Sequence, residues 1–164
     1  PATLFHTMGL MFVGGSPAST AGGIKTTTLV VLVLTVVAMV RGRPETHIAR
    51  RTIPAPVVRE ALSIVVLSMA CLMVFFSALL LTESRGLLAT TGCRTDDLLF
   101  ETVSAFATVG LSTGITAGLS AIGKLILVVC MFVGRLGPLT IALIIGTSEY
   151  GRVLRYPDEE VIVG

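Results

Sequence analysis

Long apolar stretches alternate with short polar ones along the whole chain. Residues 1–40 carry a single formal charge, residues 61–82 carry none and residues 102–148 carry two. The other charges cluster in three polar stretches, 41–60, 83–101 and 149–160. Apolar runs of about 20 residues are long enough as helices to cross a hydrocarbon core of ~30 Å. The pattern therefore predicts an all-α integral membrane protein.

Residues 1–40 cannot form one straight span, because a helix of that length would extend over ~60 Å. The stretch 14–23 holds four glycines and Pro17, which lower helix propensity and leave backbone groups unpaired. Irregular backbone is tolerated at membrane depth only where protein or a wet cavity surrounds it. We therefore predict a broken transmembrane helix over 1–40, with one helix before Gly14, an intramembrane loop at 14–23 and a second helix from about Lys25 to Val40.

The uncharged run 61–82 predicts a single crossing helix. Pro54 and Pro56 precede it and are expected to prevent a helix from running straight through the linker 41–60. This linker holds five arginines, whereas residues 83–97 hold two. Because basic residues favour the cytoplasmic side, the linker is predicted to be cytoplasmic and residues 83–97 external.

The next region has the sequence shape of a re-entrant loop. Two aspartates favour a helix N-terminus, yet the helix predicted at 97–108 would be only ~18 Å long and could not cross. Residues 109–114 then combine glycine with small hydroxyl residues, and 120–146 could form a tilted crossing helix of ~40 Å. We therefore interpret 61–146 as a helix–pore loop–helix repeat, followed by a cytoplasmic tail at 147–164.

Composition excludes several classes of function. Charged residues make up 13% of the chain, about half of the ~25% found in soluble domains, and 53% of residues are hydrophobic, which excludes an ordinary soluble domain and a disordered chain. A net charge of +2 is too small to indicate a nucleic-acid partner. No Ser-His-Asp, Cys-His or paired intramembrane carboxylate arrangement is present, so we predict no catalytic residues and no enzyme. The three cysteines are interpreted as reduced. The chain starts at Pro1 inside an apolar run, so we predict no signal peptide and interpret the chain as the C-terminal part of a longer protein.

Thr108, Val109, Gly110, Leu111 and Ser112 form the strongest candidate site. A cation leaves water only where carbonyl oxygens replace its hydration shell, and a glycine permits the dihedral angles that turn carbonyls toward one axis. The short helix before these residues would aim its partly negative C-terminal end at the same place. We predict an ion-selectivity filter here, with a chance Thr-Val-Gly in an ordinary loop as the alternative.

The loop 14–23 is the second candidate, because an irregular segment at membrane depth can act as a gate across a pore; a mere helix kink is the alternative. Arg135 lies near the middle of 120–146, where an arginine costs about 3 kcal/mol unless it faces protein or water. Neighbouring glycines and Pro138 should loosen the helix there. The predicted gate residues are Gly14, Gly15, Ser16, Pro17, Ser19, Thr20, Gly22, Gly23, Lys25 and Arg135.

Other single residues give weaker signals. Glu101, on the short helix, could contact a cation near the pore mouth, with packing or capping as the alternative. Lys124 is interpreted as a side chain that reaches toward the membrane surface. His6 has no second ligand at a useful spacing, so no metal site is predicted besides the transported ion. The loop does not match a phosphate-binding loop, because one residue separates Gly23 from Lys25.

Three segments, in this order, resemble motifs of the Trk/Ktr/HKT potassium-uptake family. Residues 14–27 resemble its intramembrane gate loop, residues 104–112 its fourth pore loop and residues 132–140 its last helix. The ending at 155–164 is most similar to the Ktr membrane subunit. Together these motifs cover nearly the whole chain.

The resemblance implies four helix–pore loop–helix repeats arranged like a tetrameric potassium channel, of which this chain holds the last helix of the third and all of the fourth. It implies K⁺ as the transported ion, Na⁺ as a coupling or activating ion, and no cofactor. It also implies a homodimer in the cell membrane whose cytosolic face docks a ring of nucleotide-binding regulatory subunits. In this interpretation, carbonyls of Thr108–Leu111 coordinate dehydrated K⁺, and residues 14–23 with Arg135 obstruct the pathway beneath.

Two other classes of function stay open. A secondary transporter with broken helices would hold its substrate near the membrane midplane, coordinated by Ser16–Thr20. A membrane anchor or assembly subunit would have no pathway at all.

Overall fold

A computed structural model describes residues 2–16, 22–42, 47–48, 51–84, 94–137 and 140. The long elements in these ranges are all helices, as the apolar pattern predicts. They are α1 (Ala2–Phe12), α2 (Thr26–Val40), α3 (Ala55–Glu83), α4 (Thr95–Phe106) and α5 (Ala121–Leu136). A short 3-10 helix, Ile115–Gly118, precedes α5, and the two-residue strands β1 (His47–Ile48) and β2 (Arg51–Thr52) pair antiparallel in the linker.

The first apolar stretch is interrupted where its glycines lie. The backbone N–H of Gly14 donates to the carbonyl of Ile24 at 2.7 Å, and that of Thr26 donates to the carbonyl of Gly15 at 3.3 Å. Val13 and Ile24 form a parallel bridge, so the two sides of the break are tied together. Of the predicted gate residues, Pro17, Ser19 and Thr20 lie outside the described residues.

Helix α3 has 29 residues and is ~43 Å long, which is ample for a tilted crossing. Among the described helices it is the one both long and apolar enough to span a membrane. It begins six residues before the predicted run 61–82. Pro54 is its N-cap and Pro56 lies in its first turn, where a backbone N–H would have no partner in any case. The two prolines therefore lie at the start of the helix, and the helix does not extend back through the linker.

The end of α3 and the start of α5 lie side by side. Glu83, the last residue of α3, accepts a hydrogen bond from the backbone N–H of Ser120, the N-cap of α5, at 3.1 Å. Helix α4 runs parallel to α5, because the Cys130 thiol lies 3.8 Å from the Thr102 carbonyl and Gly134 lies against Phe106. Phe106 thus ends α4 about 20 Å along α5 from Ser120, and the residues after it return to the level of Glu83.

Helix α4 lies at the centre of the fold, in contact with α1, α3 and α5. Every residue from Phe100 to Ala107 is buried. Its start is capped by Asp97, whose carboxylate accepts a hydrogen bond from the Arg94 N–H at 3.2 Å, in keeping with the predicted acidic N-terminus. The surrounding core contains Met8, Met11, Leu79, Leu98, Phe106, Leu127 and Cys130.

Helix α5 differs from the prediction for 120–146. Its described part ends at Leu136, and Gly137 follows with a φ of +83°. Arg135 therefore lies in the last turn of α5, because Gly137, with its positive φ and a ψ of 130°, does not continue the α-helix; Thr140 is again helical. Residues 138–139 and 141–146 lie outside the described ranges.

Candidate functional site

Helix α4 ends in a Schellman motif centred on Thr108. The N–H of Thr108 donates to the Ala105 carbonyl at 3.1 Å, and the N–H of Val109 donates to the Ser104 carbonyl at 3.0 Å. Thr108 has a φ of +54°, a left-handed conformation that glycine usually supplies at this position. A β-branched residue is strained there, so we expect the Thr108 side chain to make a contact that offsets the strain.

The Thr108 side chain bonds to the break between α1 and α2. Its Oγ1 accepts a hydrogen bond from the backbone N–H of Gly22 at 2.8 Å. Gly22 is buried, and a Cβ added to it would lie 2.9 Å from the Thr108 hydroxyl and 3.0 Å from the Phe106 carbonyl. The structure therefore brings together two predicted sites that lie 86 residues apart in sequence, a contact that periodicity cannot reveal.

The residues that follow Thr108 are open to solvent in this chain. Val109 is 44% exposed and Leu111 is 52% exposed, and Gly110 has a φ of +83°. Within the part of the chain that the structure describes, no hydrogen bond uses the carbonyl oxygens of residues 108–111. The segment thus presents four consecutive backbone carbonyls without an internal partner, which is what coordination of a dehydrated cation requires.

Glu101 lies behind this segment and holds it from one side. Its carboxylate accepts hydrogen bonds from the Ser112 hydroxyl at 2.5 Å, the Thr113 N–H at 3.0 Å and the Thr116 hydroxyl at 2.9 Å. The acceptor is satisfied by protein donors, as a buried carboxylate requires. We predicted either contact with a cation or a role in packing or capping for Glu101, and these contacts fit the second.

Glu83 is a second buried carboxylate, which the sequence pattern singles out only as the end of an apolar run. Its Oε1 accepts hydrogen bonds from the Ser120 N–H and from the Ser120 hydroxyl, the latter at 2.5 Å. A Cβ added to Gly123 would overlap this oxygen. The sequence offers two hints of this contact: an acid ends one span, and a Ser-x-x-Gly begins the next. That the two pair depends on the tertiary fold.

Gly134 sets how closely α5 approaches α4. A Cβ at this position would overlap the carbonyl of Phe106. We predicted that the glycines around Arg135 loosen the helix, and Gly137 does interrupt it two residues after Arg135. Gly134 has a different role, since it allows close helix packing.

Two cavities flank the segment 108–112. One, of about 550 Å³, lies between α4, the segment and α5, and extends from Glu101 and Ser112 to Arg135 past apolar side chains of α5. The other, of about 440 Å³, lies on the α1 side and is lined by Gly14 and Gly15. Thr108 and Leu111 line both cavities.

Some of the predicted gate residues lie beside the segment 108–112, and others do not. Gly14, Gly15 and Gly22 lie beside the segment, and Arg135 shares a cavity with Thr108. Ser16 and Lys25 are exposed and line neither of these two cavities. Lys124, predicted to reach toward the membrane surface, donates through its ammonium group to the Ala117 carbonyl at 3.0 Å.

Comparison with known proteins identifies relatives over nearly the whole chain. The profile of the TrkH family, described as "Cation transport protein", matches residues 1–149. The Ktr system potassium uptake proteins B and D of Bacillus subtilis are each 43% identical to the chain over 162 and 166 residues, 99% of this chain and 34% of each relative. The potassium/sodium uptake protein NtpJ of Enterococcus hirae is 36% identical over 165 residues, 99% of this chain and 36% of the relative. The chain thus spans about a third of the length of these relatives.

Proposed function

The chain belongs to the TrkH family of cation transport proteins, and we propose that it supplies one quarter of a channel-like K⁺ uptake pathway. In this proposal the carbonyl oxygens of Thr108, Val109, Gly110 and Leu111, together with Ser112, form one side of a selectivity filter. The family consists of transport proteins, which agrees with the absence of a catalytic arrangement predicted from the sequence.

The proposal rests on one observation: the carbonyls of residues 108–111 have no hydrogen-bond partner among the described residues. These carbonyls directly follow the C-terminus of α4, where the helix dipole places partial negative charge. Helix α4 has 12 residues, enters at the level of Glu83 and ends about 20 Å deeper beside Gly134. A short buried helix that points its C-terminus at a row of carbonyls is the arrangement expected of a pore loop.

The exposure of Val109 and Leu111 supports the assignment of one quarter rather than a whole pathway. Apolar side chains beside a conducting path are covered when other repeats complete the pore. Relatives about three times as long as this chain have the additional length that such repeats would need. We infer that equivalent segments elsewhere in the intact transporter complete the filter.

The break at residues 14–23 is proposed as the gate. The support for this assignment is that Gly22, at the described C-terminal side of the break, bonds to Thr108 at the deep end of the segment, beneath the carbonyls. Arg135 lines the cavity next to Thr108 and would repel a passing cation electrostatically. Lys25 adds a second positive charge close to the loop.

Removal of part of the loop between Gly15 and Gly22 tests the gate. Maximal K⁺ uptake of the intact transporter should rise, since the obstruction is shortened and residues 108–112 are untouched. A secondary transporter that coordinates its substrate at Ser16–Thr20 would lose uptake instead.

The remaining features of the proposal come from the resemblance to Ktr systems and the printed names of the relatives. We propose a multi-pass protein of the cell membrane with its linker 41–60 and its tail 147–164 in the cytoplasm. Na⁺ would act as a coupling or activating ion. The partners would be a second copy of the membrane subunit and a cytosolic ring of nucleotide-binding regulatory subunits.

Two glycines with similar backbone geometry provide a matched test of the filter. Gly110, inside the segment 108–112, and Gly42, outside it, both have positive φ, +83° and +64°, and a Cβ added to either meets nothing within 4 Å. Alanine at either position therefore introduces only backbone strain, about 1–2 kcal/mol, which is equivalent to roughly tenfold or more in an equilibrium. We expect Gly110→Ala to lower the K⁺/Na⁺ uptake ratio of the intact transporter by about tenfold, and Gly42→Ala to leave it unchanged.

Uptake is measured for both ions and normalised to the amount of protein in the membrane. An equal change of the ratio in the two variants would mean that backbone strain at any positive-φ glycine suffices, and it would contradict a specific role of Gly110. An unchanged ratio in Gly110→Ala, with normal protein levels, would remove the filter assignment.

A further inference from the structure

Two carboxylates in the described part of the chain are almost completely buried, and they hold different elements in place. Glu83 is 2% exposed and binds the N-terminus of α5 through Ser120. Glu101 is 5% exposed and binds the segment that returns from α4 toward α5. Both accept hydrogen bonds from a backbone N–H and a serine hydroxyl, so they are closely matched in chemistry.

The contacts of Glu101 all fall at the far end of the proposed filter. Oε1 accepts from the Ser112 hydroxyl and the Thr113 N–H, and Oε2 accepts from the Thr116 hydroxyl. Hydrogen bonds to a carboxylate are stronger than those between neutral groups. A single side chain on α4 therefore fixes Ser112 and Thr113, which immediately follow the row of carbonyls, and Thr116 three residues further on.

The near end of the same row is fixed separately. Thr108 and Val109 are bound by the last turn of α4, and Thr108 is also bound by Gly22. Gly110 and Leu111 lie between these two anchors. They line the 550 Å³ cavity that Glu101 also lines, so side-chain packing does not fill the space beside them. The position of their carbonyls therefore depends on the anchors at both ends.

We propose that Glu101 is a positioning residue of the filter, whose carboxylate holds Ser112 and Thr113 and thereby sets the spacing of the carbonyls at 108–111. This inference rests on the proposed filter function. Selectivity between K⁺ and Na⁺ depends on the number and arrangement of coordinating carbonyls. Loss of the far anchor therefore lowers discrimination between the ions more than it lowers the rate of uptake.

Three variants of the intact transporter separate this role from general loss of a buried acid. Glu101→Ala removes the anchor, and we expect the K⁺/Na⁺ uptake ratio to fall by about tenfold, the equivalent of about one lost hydrogen bond to a charged group. Glu101→Gln keeps the acceptor Oε1 for Ser112 and Thr113, and its amide can donate to the Thr116 hydroxyl. It should restore the ratio to within about threefold of wild type. Glu83→Ala removes the matched carboxylate and should lower the amount of protein without changing the ratio.

Uptake of each ion is measured in proteoliposomes and normalised to incorporated protein. An unchanged ratio in Glu101→Ala, alongside a changed ratio in Gly110→Ala, would overturn the positioning role and leave the filter standing. Unchanged ratios in both variants would remove the filter itself. An equal change in Glu83→Ala would also overturn the positioning role, because loss of any buried carboxylate would then be sufficient.

A milder variant covers the case in which Glu101→Ala fails to fold. Thr116→Val removes the donor to Oε2 while it preserves the shape of the side chain, and Thr116 lies outside the proposed filter. We expect a fall of about threefold in the K⁺/Na⁺ ratio. If Glu101→Ala fails to fold, a wild-type ratio in Thr116→Val would assign Glu101 to stability alone and overturn the proposal.

Discussion

The break between α1 and α2 and the segment that follows α4 are both rich in glycine, but glycine serves a different purpose in each. In the break, a Cβ added to Gly14 would overlap the Gly22 carbonyl, and one added to Gly22 would crowd Thr108 and Phe106. In the segment after α4, Gly110 has free space around it and a φ that side chains rarely adopt. The first region needs glycine for close approach, and the second needs it for backbone direction.

This difference separates the proposed roles of the two regions. Close approach lets backbone hydrogen bonds join the two described sides of the break, and it lets Gly22 donate to Thr108. Backbone direction determines where carbonyl oxygens point, which matters for an ion in the path. Substitutions in the break should therefore act first on stability, whereas substitutions in the segment should act first on ion selectivity.

Gly14→Ala is expected to have the largest effect on stability. The added Cβ meets backbone atoms of Gly22 and Ile24, which cannot move without breaking the hydrogen bond between Gly14 and Ile24. We expect the free energy of unfolding of the purified intact transporter to fall by about 3 kcal/mol, as in an overpacked core.

Gly9→Ala provides the control for that substitution. Gly9 is an exposed residue of α1, and a Cβ there meets nothing within 4 Å. Alanine raises helix propensity by up to about 1 kcal/mol, so stability should be unchanged or higher. A Gly14→Ala variant as stable as Gly9→Ala would contradict the claim that close approach is what the break requires.

Gly22→Ala should have an intermediate effect, because one of its crowded neighbours is a side chain. The Cβ would lie 3.0 Å from the Thr108 methyl group as well as from the Phe106 carbonyl. We expect a loss of about 1–2 kcal/mol in the free energy of unfolding. Thr108→Ser lacks that methyl group, so the double variant should recover part of the loss in a double-mutant cycle. Strict additivity of the two substitutions would show that the Thr108 methyl group does not contribute to the crowding.

Much of the fold could be predicted from the charge pattern alone. The uncharged runs mark the helices, and the break falls where Gly and Pro remove helix propensity. Asp96 and Asp97 mark the start of α4. Pro54 and Pro56 were expected to prevent a helix from running through the linker, and a new helix does begin directly after Pro54. Its start was placed six residues late, because the uncharged run begins only at Ala61, although proline is compatible with a first turn.

The candidate site could be predicted only as separate pieces. Thr108 and Gly22 were each part of a predicted site, but their hydrogen bond depends on how α1 packs against α4. Glu83 carries no local signal for its contact with Ser120, because the two residues are 37 positions apart. Periodicity and turn chemistry report on neighbours in sequence, whereas these contacts arise from tertiary packing.

Thr108→Gly should have the smallest effect on stability, because two contributions nearly cancel there. Glycine removes the left-handed strain at a φ of +54°, a gain of about 1 kcal/mol, and removes the hydrogen bond from Gly22, a loss of about 1 kcal/mol. Thr108→Val keeps the strain and loses the bond, so it should lower the free energy of unfolding by about 1–2 kcal/mol. Thr108→Ser keeps both and should resemble the wild type. Equilibrium unfolding of these three variants of the intact transporter measures the contributions separately. If Thr108→Val were as stable as Thr108→Ser, the hydroxyl would not link the two regions, and threonine at this position would have no explanation in the contact between them.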